Sequence, residues 1–182
     1  MVKERNCSVV NMFPPAIEKI HVSGESSIMR EMDPSTKEAA ELSAVIHQLL
    51  EQSGSTVSVE IHQSADRPTI AGGKYSLSQH KITLYLEGIK EQCLILYGSL
   101  KPFSQHAAAI FAHELGHAED KRLNELSDLL GLATDPLEKK RLALRIETNA
   151  WSYAIRLLGE DHHEFLHFLM HMSLEPYHNN AA

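Results

Sequence analysis

Residues 113–117 read HELGH, and residues 163–167 read HEFLH. Both segments match the pattern His-Glu-x-x-His, which on a helix places two imidazoles one turn apart with a carboxylate beside them. Two such histidines can hold a zinc ion, and the glutamate can act as a general base on a water molecule. In a chain with 12 histidines one copy can arise by chance, so the surroundings of each copy must decide which is functional.

The first copy follows the apolar segment AAAIFA, residues 107–112. A helix that is apolar on all sides is buried, so His113, Glu114 and His117 are predicted to point into the protein. Buried polar groups need partners, and a metal ion is a suitable partner for two imidazoles one turn apart. Gly116 costs about 1 kcal/mol relative to alanine inside a helix, which predicts that another backbone approaches closely at this position.

The second copy lies in a segment with an ordinary amphipathic pattern. The apolar residues on one side of its helical wheel are Phe165, Leu166, Phe168, Leu169 and Met172. His163, His167 and His171 fall on the other side with Glu164 and are predicted to be exposed to solvent. We therefore predict that HELGH is the functional copy and that HEFLH is a surface coincidence, at which a weak adventitious metal site can form.

A catalytic zinc ion usually takes three protein ligands and leaves a fourth position for water. The extended pattern HExxHxxGxxH would need glycine at position 120 and histidine at position 123, where this chain has Asp120 and Leu123. Glu147 is the best candidate for the third ligand, because it lies within the apolar stripe of a helix predicted over residues 136–158. A buried carboxylate must bind a metal or pair with a cation, so the alternative is a buried ion pair with an arginine or lysine.

Two other residues are weaker candidates for the third ligand. Asp120 lies one turn after His117, where it can bind the metal or accept a hydrogen bond from a ligand histidine. Cys93 lies in the segment EQCL, which resembles the ligand-cysteine segment of peptide deformylases, although their glycine-rich upstream motif is missing. Cys7 and Cys93 together make neither a metal-binding pair nor a disulfide framework.

The elements that must position these residues follow from hydrophobic periodicity. Helices are predicted near residues 35–53, 104–130, 136–158 and 162–174. Strands are predicted over residues 56–62 and 81–86, and a third, short strand is predicted near Ile20–Val22. The predicted helix starts are Asp33 with Pro34, Ser104, and Asp135 with Pro136, and the predicted stops are Gly54 and Pro176. The segment AGG, residues 71–73, predicts a turn, and the segment CLILY, residues 93–97, is compatible with a helix or a strand.

The predicted fold class is α+β, with a small antiparallel or mixed sheet packed on the helices near 35–53 and 104–130. A chain of 182 residues is most simply one domain with its own core. The net charge of −7 and the lack of a basic stripe argue against nucleic-acid binding. We see no apolar segment of the ~20 residues that a membrane span needs and no signal peptide. The predicted location is the cytoplasm, or outside the cell after export by a non-classical route.

The segment AHELGHAED and, about thirty residues later, the segment IETNAWSYA resemble the gluzincin-type metalloproteases. They are most similar to the ImmA/IrrE family, which cleaves or removes phage-type repressors; secreted zincin effectors of pathogenic bacteria share the same short motifs. The order of elements resembles that family from about residue 35 to residue 158. The resemblance implies one zincin-like domain over residues 1–182, with its core at about 35–175. It also implies that His113, His117 and Glu147 bind one zinc ion per chain and that Glu114 is the catalytic base.

The predicted reaction is zinc-dependent hydrolysis of a peptide bond in a protein or peptide substrate. Zinc lowers the pKa of its bound water to about 7. Glu114, turned about 100° from His113 on the helix, would reach that water and not the metal. We predict that the strand at 81–86 is the sheet edge along which an extended peptide lies.

Three residues are candidates for the donor that stabilises the transition state: Tyr153, Tyr177 and His178. Two alternatives to hydrolysis remain open at this point. In one, the chain is a non-catalytic zinc-binding regulatory or structural protein of zincin-like fold. In the other, HELGH is a buried polar network that holds no metal. Neither alternative explains a glutamate directly after the first histidine as well as hydrolysis does.

Overall fold

The computed structural model describes residues 37–65, 70–159 and 162–178. The elements in these ranges are α1 (Lys37–Ser53), β1 (Ser58–His62), β2 (Gly73–Ser76), β3 (Lys81–Tyr85), α2 (Leu86–Tyr97), α3 (Phe103–Glu119), α4 (Leu123–Leu132), α5 (Pro136–Leu158) and α6 (His163–His178). The α+β class is confirmed. The predicted helix start at Asp33–Pro34 and the predicted strand at Ile20–Val22 lie outside the described residues. None of the described helices is long and apolar enough to cross a membrane.

The three strands form a mixed sheet in the order β1-β3-β2. β1 runs parallel to β3 and β2 runs antiparallel to it, so that Val59 and Tyr75 both lie opposite Ile82. The prediction that residues 81–86 form the sheet edge is therefore wrong. β3 is the central strand and has no free edge for a peptide, and its apolar side chains are buried as a central position requires. The turn predicted at AGG is corrected in part: the chain bends at Gly72, but Gly73 already begins β2.

α3 is the helix around which the other elements pack. It contacts α1, α2, α5 and the strands β2 and β3. All of the segment AAAIFA except Ala108 is buried, which confirms the prediction for a helix that is apolar on every side. The predicted helix 104–130 is two helices. Asp120 has an extended backbone after α3, and its side chain accepts a hydrogen bond from the N–H of Arg122 at 2.8 Å. This hydrogen bond closes a turn that separates α3 from α4.

The ends of the other helices agree in part with the sequence. α1 ends before Gly54, which has a positive φ of 65°, and the Asp135 carboxylate caps the start of α5 as predicted. Ser104 is not an N-cap, since Pro102 holds that position. Pro176 does not stop α6, which continues to His178; the ring of proline fixes a φ that a helix accepts. The ambiguous segment CLILY is helical and belongs to α2.

Gly116 is the point at which α3 touches the backbone of α5. A Cβ atom on Gly116 would lie 2.7 Å from the Cα atom of Ala150 and closer still to its carbonyl oxygen. This confirms the prediction that another backbone approaches there. Because Glu147 lies about one turn before Ala150 on α5, the close contact brings its carboxylate to the HELGH segment.

We expect Gly116→Ala to destabilise the protein by about 1–3 kcal/mol, because the added methyl group would overlap a backbone that cannot move aside easily. The matched control is Gly131→Ala in α4, where an added Cβ meets no atom within 4 Å. That change should stabilise the protein by up to about 1 kcal/mol, since alanine favours a helix over glycine. Urea unfolding of the metal-free proteins measures both effects. Equal stability of the two variants would contradict the close contact.

Candidate metal centre

The fold brings together the three side chains predicted to bind metal. His113 and His117 lie on α3, and Glu147 lies on α5. The Nε2 atoms of the two histidines are 3.2 Å apart. The Oε2 atom of Glu147 is 3.3 Å from Nε2 of His113 and 3.8 Å from Nε2 of His117. The two imidazoles and the carboxylate therefore converge on one point.

These distances agree with those between the ligands of a single tetrahedral ion. Two ligand atoms that are each about 2.0–2.1 Å from such an ion lie about 3.3 Å from one another. Both carboxylate oxygens of Glu147 and Nδ1 of His113 are buried without a hydrogen-bond partner among the described residues. A bound cation would satisfy that carboxylate. The cluster can hold a metal ion, and in the described ranges it is the one such group of three or more His, Cys, Asp or Glu.

Burial determines the charges of the three clustered side chains. His113, His117 and Glu147 are each at most 4% exposed. Burial lowers the pKa of His113 to about 3 and that of His117 to about 4, although the charge of Glu147 opposes this at His117. Both imidazoles are thus neutral near pH 7, as metal binding requires. Burial raises the pKa of Glu147, against the opposing effect of His117, and a cation in the site would restore its ionised form.

Glu114 lies beside this cluster without belonging to it. Its carboxylate accepts a hydrogen bond from the backbone N–H of Tyr75, while its Oε2 atom has no partner in the described part of the chain. Burial raises its pKa well above the ordinary value, the charge of Glu147 raises it further, and the Tyr75 N–H acts in the opposite direction. Glu114 is therefore a carboxyl group held in place through one oxygen, with the other oxygen unpaired.

The edge strand β2 makes this arrangement possible. A Cβ atom on Gly73 would lie 3.2 Å from Cγ of Glu114 and 2.9 Å from Cδ2 of Leu84, so a glycine lets β2 lie directly against Glu114. Because β2 pairs with one strand only among the described residues, its backbone can offer an N–H to Glu114. Neither Gly73 nor the Tyr75 backbone was predicted at the site. The available signal was the pair Gly72–Gly73, whose second glycine is the first residue of β2.

His113 is held by packing against an aromatic ring. The centroid of its ring lies 4.5 Å from that of Trp151 on α5, and the Trp151 Nε1–H donates a hydrogen bond to Oγ of Ser173 at 3.1 Å. Metal-binding histidines commonly donate their second N–H to a carboxylate or carbonyl, but Nδ1 of His113 has no such partner among the described residues. α6 thus supports the site through Ser173, a role that the sequence did not predict.

The other candidates for the third ligand lie outside the cluster. The Asp120 carboxylate accepts hydrogen bonds from the Arg122 N–H and from the Asn149 side chain, and it acts on His117 only by opposing the lowering of that residue's pKa. Cys93 is buried on α2, and burial raises the pKa of its thiol to about 12. Among the described residues, Glu147 has no ion pair with arginine or lysine, and its Oε2 atom faces the Nε2 atoms of the two histidines.

The second motif faces solvent. His163, His167 and His171 are all exposed on α6, as predicted. Phe168 is also 44% exposed, so the buried face of this helix is narrower than the apolar pattern indicated.

Of the three possible transition-state donors, Tyr153 lines a surface cavity of about 210 Å³. The roles of Tyr153, Tyr177 and His178 stay predictions.

A further buried histidine, His106, lies in the first half of α3 and forms a chain of hydrogen bonds. The Nε2 atom of Gln92 donates to the carbonyl oxygen of Ile70 at 2.9 Å, which leaves its Oε1 atom to accept from Nε2–H of His106 at 2.9 Å. Nδ1 of His106 then accepts from the Tyr97 hydroxyl at 3.2 Å. These contacts use a neutral imidazole and tie the residues before β2 to α2 and α3.

We expect this histidine to make the fold sensitive to acid. Burial lowers the pKa of His106 to about 4, whereas an unfolded chain has a histidine pKa of about 6.5. As the pH falls from 6.5 towards 4, the unfolded state takes up a proton that the folded state does not, so the free energy of unfolding decreases by about 3 kcal/mol. Urea unfolding of metal-free wild type and His106→Gln at several pH values isolates this contribution. The same pH dependence in both would contradict it.

Comparisons of this chain with protein families, with curated proteins and with solved structures give no match. The resemblance to gluzincin-type metalloproteases stays a prediction from the short segments around HELGH and Glu147. The site itself consists of two neutral imidazoles and a carboxylate arranged for one metal ion, with a separate carboxyl group placed beside them by an edge strand.

Proposed function

We propose that the protein is a zinc-dependent peptide-bond hydrolase with a zincin-like fold, in which His113, His117 and Glu147 bind the metal and Glu114 is the general base. One observation carries the proposal. The three donor atoms lie 3.2–3.8 Å from one another, and a fourth side chain, the acidic Glu114, lies beside them without belonging to the cluster. A site that only bound metal would have no use for Glu114.

The donor set favours zinc among the common metal ions. Two imidazole nitrogens and one carboxylate oxygen are borderline ligands, typical of catalytic zinc sites with three protein ligands. Calcium and magnesium prefer six or more oxygen atoms. When bound, zinc would supply a Lewis acid for a water molecule and for a substrate carbonyl. Two neutral histidines and one carboxylate would leave the loaded site with a net positive charge.

Glu114 has the features that a general base needs. The Tyr75 N–H holds the carboxylate in place, and the unpaired Oε2 atom is available to take a proton from water and to pass it to the leaving amine. A base must be ionised, and burial alone opposes this. A cation at the neighbouring ligands would lower the pKa of Glu114 towards the range in which it can both accept and return a proton.

The sheet supports a peptide as substrate, although at a different strand from the one the sequence predicted. β2 is the edge strand that lies against Glu114, and its outer edge borders the site. An extended peptide can add to such an edge by backbone hydrogen bonds. We propose that the substrate lies along β2, which would bring a backbone carbonyl near the base and the metal ligands.

One observation favours the alternative of a non-catalytic zinc-binding protein. The three ligands and Glu114 are almost completely buried, as in a structural zinc site. However, structural sites commonly use four protein ligands and are rich in cysteine. The described cluster offers three ligands and contains no cysteine, so hydrolysis remains the better interpretation.

The proposal can be tested without knowing the substrate. The zinc-loaded protein is incubated with peptides prepared from a whole proteome, and new chain ends are identified by mass spectrometry. We expect cleavage by the zinc-loaded protein and none after the metal is removed with a chelator. Tight zinc binding with no cleavage of any peptide, across peptides of many sequences, would favour the non-catalytic alternative.

A further inference from the structure

The motif HEFLH at the start of α6 has no part in the buried centre. His163 and His167 are both exposed to solvent, and their ring centroids lie 4.1 Å apart with the ring planes at 42°. Leu166 and Leu169 are completely buried on the other side of the helix. The packing of these leucines fixes the backbone of the helix, which places the two imidazoles next to each other on its outer face.

We propose that His163 and His167 form a second metal site, an exposed two-imidazole chelate for a borderline divalent transition metal such as Cu²⁺, Ni²⁺ or Zn²⁺. Imidazole suits these ions, and the expected order of affinity places Cu²⁺ first. Hard ions that require oxygen ligands, such as Ca²⁺ and Mg²⁺, should not bind. With two protein ligands the ion keeps several positions for water, so this site is weaker and more open than the buried one.

The surroundings of the pair are suitable for a cation. α6 contains no lysine or arginine, and Glu164 lies directly after His163. No fixed positive charge on this helix therefore opposes an incoming metal ion. The chelate also requires no rearrangement of the backbone, because residues four apart on a helix face the same side.

His171 continues the same face one turn beyond His167. It lies two turns from His163, about 12 Å along the helix axis, so a single ion cannot bind both. His167 is the one residue that belongs to either possible pair. The observed ring contact joins His163 and His167, which assigns the site to that pair and makes His171 a matched control.

The test is a calorimetric titration of the zinc-loaded protein with Ni²⁺ alone. Because the chain has 12 histidines, single variants rather than total binding locate the site. We expect His167→Ala to weaken the Ni²⁺ site by roughly 10²-fold, since the second ligand otherwise binds intramolecularly. His163→Ala should weaken it clearly but less, and His171→Ala should bind as the wild type does. Wild-type affinity in His167→Ala, or a loss in His171→Ala with none in His163→Ala, would overturn the assignment.

A second measurement uses the unaltered protein and does not depend on the folding of any variant. Ni²⁺ should protect His163 and His167 from carbethoxylation by diethyl pyrocarbonate, as read by mass spectrometry, and should leave His171 reactive. Equal modification of the pair with and without Ni²⁺ would reject the site. Either result is independent of the proposed hydrolase, because none of these residues lies at the buried centre.

Discussion

Replacement of Glu114 by glutamine is expected to leave zinc binding intact and to reduce peptide hydrolysis by a factor of about 10²–10⁴, the usual contribution of a general base. Glutamine has nearly the shape of glutamate and keeps an oxygen that can accept the Tyr75 N–H, so the packing of Gly73 against this side chain should persist. It cannot take a proton from water. The variant therefore separates metal binding from chemistry.

The matched control is Glu119→Gln, a change of the same kind at the exposed end of the same helix. This control should retain full activity and full zinc content. Both variants are compared with the wild type by metal analysis and by the rate of cleavage of a peptide found in the proteome-derived mixture. Activity of Glu114→Gln equal to that of the control would remove Glu114 from the mechanism, even if the metal centre is correct.

Much of the centre could be predicted because it depends on local patterns. The apolar segment before His113 already placed HELGH in the core, and the cost of a glycine within a helix already indicated the close contact at Gly116. The burial of Glu147 followed from the apolar stripe of α5. Each of these inferences uses residues within a few turns of one helix, where spacing determines direction.

The position of β2 could not be predicted in the same way. It has four residues, GKYS, which is too short to show an alternating pattern. The order of the strands depends on pairing between distant segments. The sequence pattern of a buried apolar strand such as β3 does not show whether the strand lies at the centre or at an edge of the sheet. For this reason the prediction placed the sheet edge at the wrong strand and missed the contact between Tyr75 and Glu114.

The support of the centre by α6 was missed for a related reason. The hydrogen bond from Trp151 to Ser173 joins residues 22 positions apart in the chain. The sequence pattern around a serine in an apolar helix does not show which residue its hydroxyl group will bond. The break at Asp120 illustrates the opposite case. Its signal, an aspartate able to accept a hydrogen bond from a backbone N–H two residues later, was present in the sequence but was outweighed by the apolar residues on either side.

Replacement of His113 on α3 or of Glu147 on α5 by alanine is expected to remove zinc from the buried site. The wild type should retain about one tightly bound zinc ion per chain after exhaustive dialysis, as three-ligand catalytic sites hold one ion. His113→Ala leaves one imidazole and one carboxylate, and Glu147→Ala leaves two imidazoles without the charge that neutralises the cation. The zinc content of His113→Ala should fall nearly to zero, and that of Glu147→Ala should fall strongly.

The control for this measurement is His163→Ala, which alters the exposed copy of the motif in the same way. It should keep the tightly bound zinc, because any ion held by α6 alone has two imidazole ligands and is lost on dialysis. Circular dichroism shows whether each variant remains folded, which matters most for Glu147→Ala, since truncation leaves a cavity near Trp151. If His163→Ala loses the bound zinc while His113→Ala keeps it, the buried cluster, whose donor atoms lie 3.2–3.8 Å apart, is not the tight metal site. The hydrolase proposal would then fall with it, because Glu114 would have no metal to work beside.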